Sequence, residues 1–153
     1  MNGSAWTLRT RGKIIPFEGT QVMGIVNLTP DSFYDGGMMS SQEQIKEQIH
    51  LMVAQGATFI DVGAESTRPG SDPVSKEEEL ERLDPFFKLL SEGKLPSEIL
   101  YSIDTTKAEV AKEALDAGCH IVNSVSGRVE YDLLSVAEAA NAAYVCMHAQ
   151  GAP

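Results

Sequence analysis

The sequence is poor in positive charge, cysteine and long apolar runs, and each shortage removes a class of function. Twelve Lys and Arg stand against 22 Asp and Glu, for a net charge of −10. No basic stripe exists to neutralise a phosphate backbone or an anionic bilayer, which argues against nucleic acid and membrane as partners. A small phosphorylated ligand stays open, because it needs local donors or a metal rather than a basic surface. The two cysteines, Cys119 and Cys146, are far apart and lack metal-type spacing. Each lies beside a predicted strand, so both are expected to be buried, reduced thiols in a cytoplasmic protein. No apolar run nears the roughly 20 residues of a membrane span. The opening "MNGSAWTLRTRGK" lacks the apolar core of a secretory signal. Also missing are G-x-G-x-x-G after a strand, G-x-x-x-x-G-K-[ST], a Cys/His cluster and a G-x-S-x-G elbow. The familiar dehydrogenase, kinase, zinc and hydrolase readings therefore lack their signatures.

The 153 residues, 42% hydrophobic and 22% charged, suit one globular domain with one core. "WTLRT" and "KIIPF" flank Arg11 and Gly12 and predict an N-terminal hairpin. After it, β-like and helix-like segments alternate. The strands are "TQVMGIVN", "TFIDVG", "ILYSID", "HIVNSV" and "AAYVCMHA". The first helix follows a Ser41–Gln44 capping pattern, with Ile45, Ile49, Met52 and Val53 as its stripe. The second is capped by Ser75 with Glu78 and turns Leu80, Leu83, Phe87 and Leu90 inward. The third is capped by Thr106 with Glu109 and buries Val110, Ala111 and Ala114. The fourth runs from about Asp132 to Ala140. Such alternation means a parallel sheet with crossover helices, and the strands are apolar on both faces as such sheets require. An open doubly wound sheet and a (β/α)8 barrel both fit this pattern.

Polar residues gather where each strand ends. Asn27 and Asp31 follow the first, Asp61 closes the second with Ser66, Thr67 and Arg68 after it, and Asp104, Asn123 and His148 follow the next three. Those ends share one face, the functional face of both architectures. Bland readings stand beside this one. Asp104-Thr105-Thr106 suits a helix cap, and Asn123 beside Ser124 suits a turn. Arg68 is either a solvated charge or a bidentate anion reader. His148, His50 and His120 read as structural. The stretch "NLTPDSFYDGG" is longer and chemically denser than the roughly 2–6 residues a plain strand-to-helix link needs.

"MGIVNLTPDSFYDGG", "DVGAESTRPGS", "SIDTTKAEV", "HIVNSVSG" and "VCMHAQGAP" resemble, in order, successive motifs of the dihydropteroate synthases. The resemblance spans nearly all of this chain but roughly the first half of the family's fold, so residues 1–153 read as the N-terminal portion of a single pterin-binding (β/α)8 TIM-barrel domain. It implies an enzyme of folate synthesis and a sulfonamide target. Such an enzyme condenses 6-hydroxymethyl-7,8-dihydropterin pyrophosphate with p-aminobenzoate to 7,8-dihydropteroate and pyrophosphate through an SN1-like pterin cation, with Mg²⁺ on the leaving group. Carried onto this sequence, the resemblance makes Asn27 the metal ligand. Thr67 and Arg68 contact pyrophosphate or the p-aminobenzoate region, and Asp104 and Asn123 bond the pterin ring, with Met147 alongside it. Phe33 and Pro69 build the p-aminobenzoate pocket, and Asp35 orders the closed loops, paired with Arg68. A homodimer is implied as well.

Gly63-Ala64-Glu65-Ser66 stands where the family commonly has Gly-Gly-Glu-Ser, a change tolerable if φ at Ala64 is negative. Tyr34 replaces a smaller residue. No sixth to eighth strand follows Pro153, and barrels of this type take about 250 residues. Five strands leave two edges unpaired and the inner face open. The expectation is a part of a longer protein, ahead of a half supplied by another chain or by self-assembly, with little or no synthase activity from the isolated 153 residues. A pterin-binding methyltransferase-type domain and a non-catalytic pterin-binding remnant are the alternatives.

Overall fold

The computed structural model describes residues 5–29, 42–65, 74–127 and 129–148. Strands β1 (Ala5–Thr10) and β2 (Lys13–Glu18) form an antiparallel hairpin. Its two-residue turn places both Arg11 (φ 48°) and Gly12 (φ 73°) in the left-handed region, the geometry that matches strand twist. There follow β3 (Val22–Asn27), α1 (Gln42–Ala54), β4 (Ala57–Gly63), α2 (Lys76–Ser91), β5 (Leu100–Asp104), α3 (Ala108–Ala117), β6 (Ile121–Ser124), α4 (Tyr131–Ala139) and β7 (Ala143–Cys146).

The sheet order is β3-β4-β5-β6-β7, with every neighbouring pair parallel. A doubly wound sheet reverses strand order at a switch point. An unreversed order is that of a barrel wall, so the fold is an incomplete (β/α)8 barrel. Strand residues alternate faces. Val26, Ile60, Val62, Tyr101, Ile103 and Val122 turn outward and pack with α1–α4 into the main core. The other set lines the inner face. At its N-terminal end Phe59, Leu100 and Ile121 form a second cluster with Leu8, Ile15 and Phe17. The hairpin plugs that end, Trp6 stacking on Phe17 with centroids 4.4 Å apart. It is pinned there by Arg11, whose guanidinium donates to the carbonyls of Leu115 and Cys119 at 3.0 and 2.8 Å.

Several expectations need correcting. The buried stripe of α2 is Glu79, Leu83, Phe86 and Leu89, with Leu80, Phe87 and Leu90 only partly covered. Glu79 joins this stripe by pairing with the ammonium of Lys107, the residue just before α3. The Ser75 cap forms as expected, its Oγ accepting from Glu78 N at 3.2 Å. Thr106 does not cap α3. The helix begins after Lys107, and Thr105 Oγ1 accepts from the Lys107 amide at 3.1 Å instead. Ser41 of the α1 cap lies outside the described residues. Cys119 is buried but Cys146 is exposed. The strands are apolar on both faces in sequence only. On the inner face Ile25 is 60% exposed and Val145 43%, because no further strand covers them among the described residues.

Candidate active site

The ladder register assembles the site. Asn27 pairs with Gly63, Gly63 with Asp104, Asp104 with Asn123, and Asn123 with Val145. Three residues named from sequence, Asn27, Asp104 and Asn123, therefore lie in one row across four strands at their C-terminal ends. Gly63 keeps the row open. A Cβ there would sit 3.4 Å from Asp104 Cβ and 3.6 Å from its Oδ2, filling the gap between Asn27 and Asp104. Met147, 42% exposed, immediately follows β7 at the same end of the sheet. His148 is exposed, and His120 is structural, its Nδ1 accepting from the Tyr101 amide at 3.2 Å. His50 is exposed on α1. Phe33, Asp35, Thr67, Arg68 and Pro69 lie outside the described residues, as do Asp31 and Ser66.

One layer deeper runs the row Ile25, Asp61, Ser102, Ile121 and Ala143. Asp61, read from sequence only as a polar residue closing its strand, is 4% exposed. Its Oδ2 accepts from Asn123 Nδ2 at 2.9 Å. The upper row is electrostatically tuned by this neighbour. Burial, with the charges of Asp61, Glu79 and Glu65 behind it, pushes the Asp104 carboxyl up to about 7. A carboxyl poised there both accepts and releases a proton near neutral pH, the behaviour expected of a binding or catalytic position.

A second network, missed from sequence, secures the C-terminal end of β4. Lys107 Nζ donates to Glu65 Oε2 at 2.5 Å and to the fully buried Glu79 Oε2 at 2.7 Å. Arg82 donates to the Ala64 carbonyl at 2.8 Å and pairs with Glu78 one turn away. Burial opposes the Lys107 charge, but its bonds to both carboxylates outweigh that and raise its pKa. Ala64 is fully buried without a positive φ, so the departure from Gly-Gly is accommodated. The one available signal was a Glu at an inward position of α2, which a cation from another segment explains.

Among the described residues no group of three His, Cys, Asp or Glu is placed to hold a metal by itself. The donor available is the exposed amide of Asn27, a hard oxygen ligand. One such ligand suits a Mg²⁺ that keeps waters and binds mainly through substrate phosphate, and does not suit an all-protein cage.

A family model described as "Pterin binding enzyme" matches residues 23–153. The chain belongs to this family. A Synechocystis dihydropteroate synthase is 47% identical over 135 residues, covering 88% of this chain and 46% of that protein. A crystal structure of the Clostridium difficile dihydropteroate synthase in the presence of pteroic acid superposes with a TM-score of 0.76 at 45% identity, covering 86% of this chain and 49% of that one. The Yersinia pestis enzyme in a sulfonamide drug complex gives 0.80 at 39%, covering 95% and 52%. The chain thus spans about half the length of the pterin-binding relatives it matches. No helix among the described residues is long and apolar enough to cross a membrane.

Proposed function

We propose that this chain carries part of a dihydropteroate synthase site, its upper row reading the pterin and its Asn27 end facing the pyrophosphate. The observation that supports this most is the single row that brings Asn27, Asp104 and Asn123 together beside an empty position at Gly63. A carboxylate and an amide side by side complement the donor-rich edge of a 2-amino-4-oxo pteridine. Pteroic acid, present with the Clostridium relative, joins such a ring to p-aminobenzoate.

In this reading the pterin lies against Asp104 and Asn123, with Met147 along it. Pyrophosphate leaves the 6-methylene group with the bonding electron pair, the amine of p-aminobenzoate attacks the resulting cation, and the new secondary amine gives up one proton to pyrophosphate or water. Asp104 and Asn123 fix the ring so that the methylene points toward Asn27. Asn27 would hold Mg²⁺, which, when bound, supplies charge neutralisation for the leaving group. Thr67 and Arg68 contact pyrophosphate or the p-aminobenzoate region, Phe33 and Pro69 build the p-aminobenzoate pocket, and Asp35 pairs with Arg68 to order the closed loops, which exclude water from the cation. The exposed inner face and the edges of β3 and β7 are covered by the remaining barrel strands, from adjoining sequence or another chain. The 153 residues alone turn over little. The setting is cytoplasmic and the complete enzyme a homodimer.

Calorimetric titration with 6-hydroxymethyl-7,8-dihydropterin pyrophosphate, with and without Mg²⁺, tests this. Binding that strengthens with metal and loses that gain in Asn27→Ala supports the synthase reading. Metal-independent binding points to a pterin-binding remnant, and no binding of the ring at all refutes both.

A further inference from the structure

Asp61 has no place in the reading above, yet its position is costly. It is 4% exposed on a strand apolar but for Thr58, and a buried carboxylate needs several donors to offset its lost hydration. Among the described residues it has one, Asn123 Nδ2 at 2.9 Å, while its Oδ1 is buried with no partner. Beside it in the register lies Ser102, whose Oγ is also buried and unpartnered. Burying an under-bonded charge here stabilises nothing. A leucine would pack this layer better, as Leu100 and Ile121 do next to it.

A carboxylate only accepts hydrogen bonds, whereas a primary amide can turn either end toward a ligand. Held by Asp61, Asn123 must point its nitrogen down. What it offers upward, beside the Asp104 carboxyl, is its carbonyl oxygen and at most one N–H. We infer that Asp61 is a positioning residue that sets the specificity of this site: by fixing the Asn123 amide it makes the upper row a reader of ring edges that carry an amino donor and a rejector of edges that carry a carbonyl there. The inference rests on the pterin reading for its ligand and on the Asp61–Asn123 geometry for its mechanism.

The discriminating probes are 6-hydroxymethylpterin and the corresponding lumazine, in which a carbonyl replaces the 2-amino group. With the full chain, the pterin is preferred. In Asp61→Asn the new amide can accept from Asn123 or donate to it, so the Asn123 nitrogen is no longer held down, and the preference for pterin falls by up to about tenfold, the value of one hydrogen bond. The exchange variant Asp61→Asn/Asn123→Asp rebuilds the bond with reversed polarity, fixes an acceptor at position 123 and restores the preference. It also serves if the single variant fails to fold. A purely structural role predicts a lower melting temperature with unchanged preference, which would overturn the inference. Amide NMR makes the test independent of the ligand. The Asn123 side-chain NH₂ pair shows one strongly shifted proton in the parent, a smaller shift in Asp61→Asn and none in Asp61→Ala, which removes the acceptor. If neither ring binds the parent, the pterin reading fails while this signature still decides the positioning. An Asn123 amide indifferent to Asp61 refutes it outright.

Discussion

Replacing Lys107 by methionine should destabilise the chain more than any other single change at the candidate site. Lys107 Nζ lies 2.5 Å from Glu65 Oε2 and 2.7 Å from Glu79 Oε2. At an effective dielectric of about 20, each contact is worth about 6 kcal/mol of gross attraction. Desolvation takes back most of it, since Glu79 is fully buried and Lys107 and Glu65 are each about three-quarters covered. What decides the outcome is the charge left behind. Glu79 Oε1 already lacks a partner, and the substitution strips Oε2 of its partner too. Breaking a buried pair from one side costs about 3–5 kcal/mol, a large part of the roughly 5–15 kcal/mol that holds a domain together. Urea unfolding followed by far-UV circular dichroism measures it. The double variant Glu79→Leu/Lys107→Met removes the stranded charge and should recover much of the loss, Glu65 being able to turn to water. A single variant within about 0.5 kcal/mol of the parent, or a double variant worse than the single, would show that the network does not hold this end of β4.

Three other outcomes follow from the same geometry. The Asp104 carboxyl is pushed up to about 7, so the folded chain loses stability as pH rises from about 4 to 7 and that carboxyl is forced to ionise in place; Asp104→Asn should flatten this slope, leaving stability at pH 4 unchanged and raising it at pH 8, as read by melting temperature. Gly24→Ala places a Cβ 2.7 Å from Met52 Sδ and 2.9 Å from Ile60 Cδ1, an overpacking worth about 1–3 kcal/mol in denaturant unfolding. Burial raises the Cys119 thiol far out of the reactive range, so a thiol reagent should label Cys146 alone in the folded chain and both cysteines in urea.

The fold was legible because its signals are local. Five apolar runs alternate with amphipathic stretches, and the Ser75–Glu78 cap is written in adjacent residues. The row of Asn27, Asp104 and Asn123 was reachable because strand ends in a parallel sheet share one side, so no long-range pairing had to be known. What stayed hidden depends on contacts between distant segments. Asp61 and Asn123 are 62 residues apart, and nothing near either names the other. Lys107 looked like a helix residue behind a Thr106 cap. Its ammonium instead reaches two other segments, and Thr105 takes its amide. The burial of Glu79 on α2 depends on the same ion pair. The competition between barrel and doubly wound sheet was settled only by strand order, which a list of elements does not contain.

A chemical-shift map of the full chain titrated with 6-hydroxymethyl-7,8-dihydropterin pyrophosphate and Mg²⁺ tests most directly whether the strand-end row binds the pterin. The largest perturbations are expected on Asn27, Gly63, Asp104 and Asn123, and omitting the metal quiets Asn27 first. Perturbations centred on the hairpin end of the sheet, or on the outer helices with that row unmoved, would contradict this.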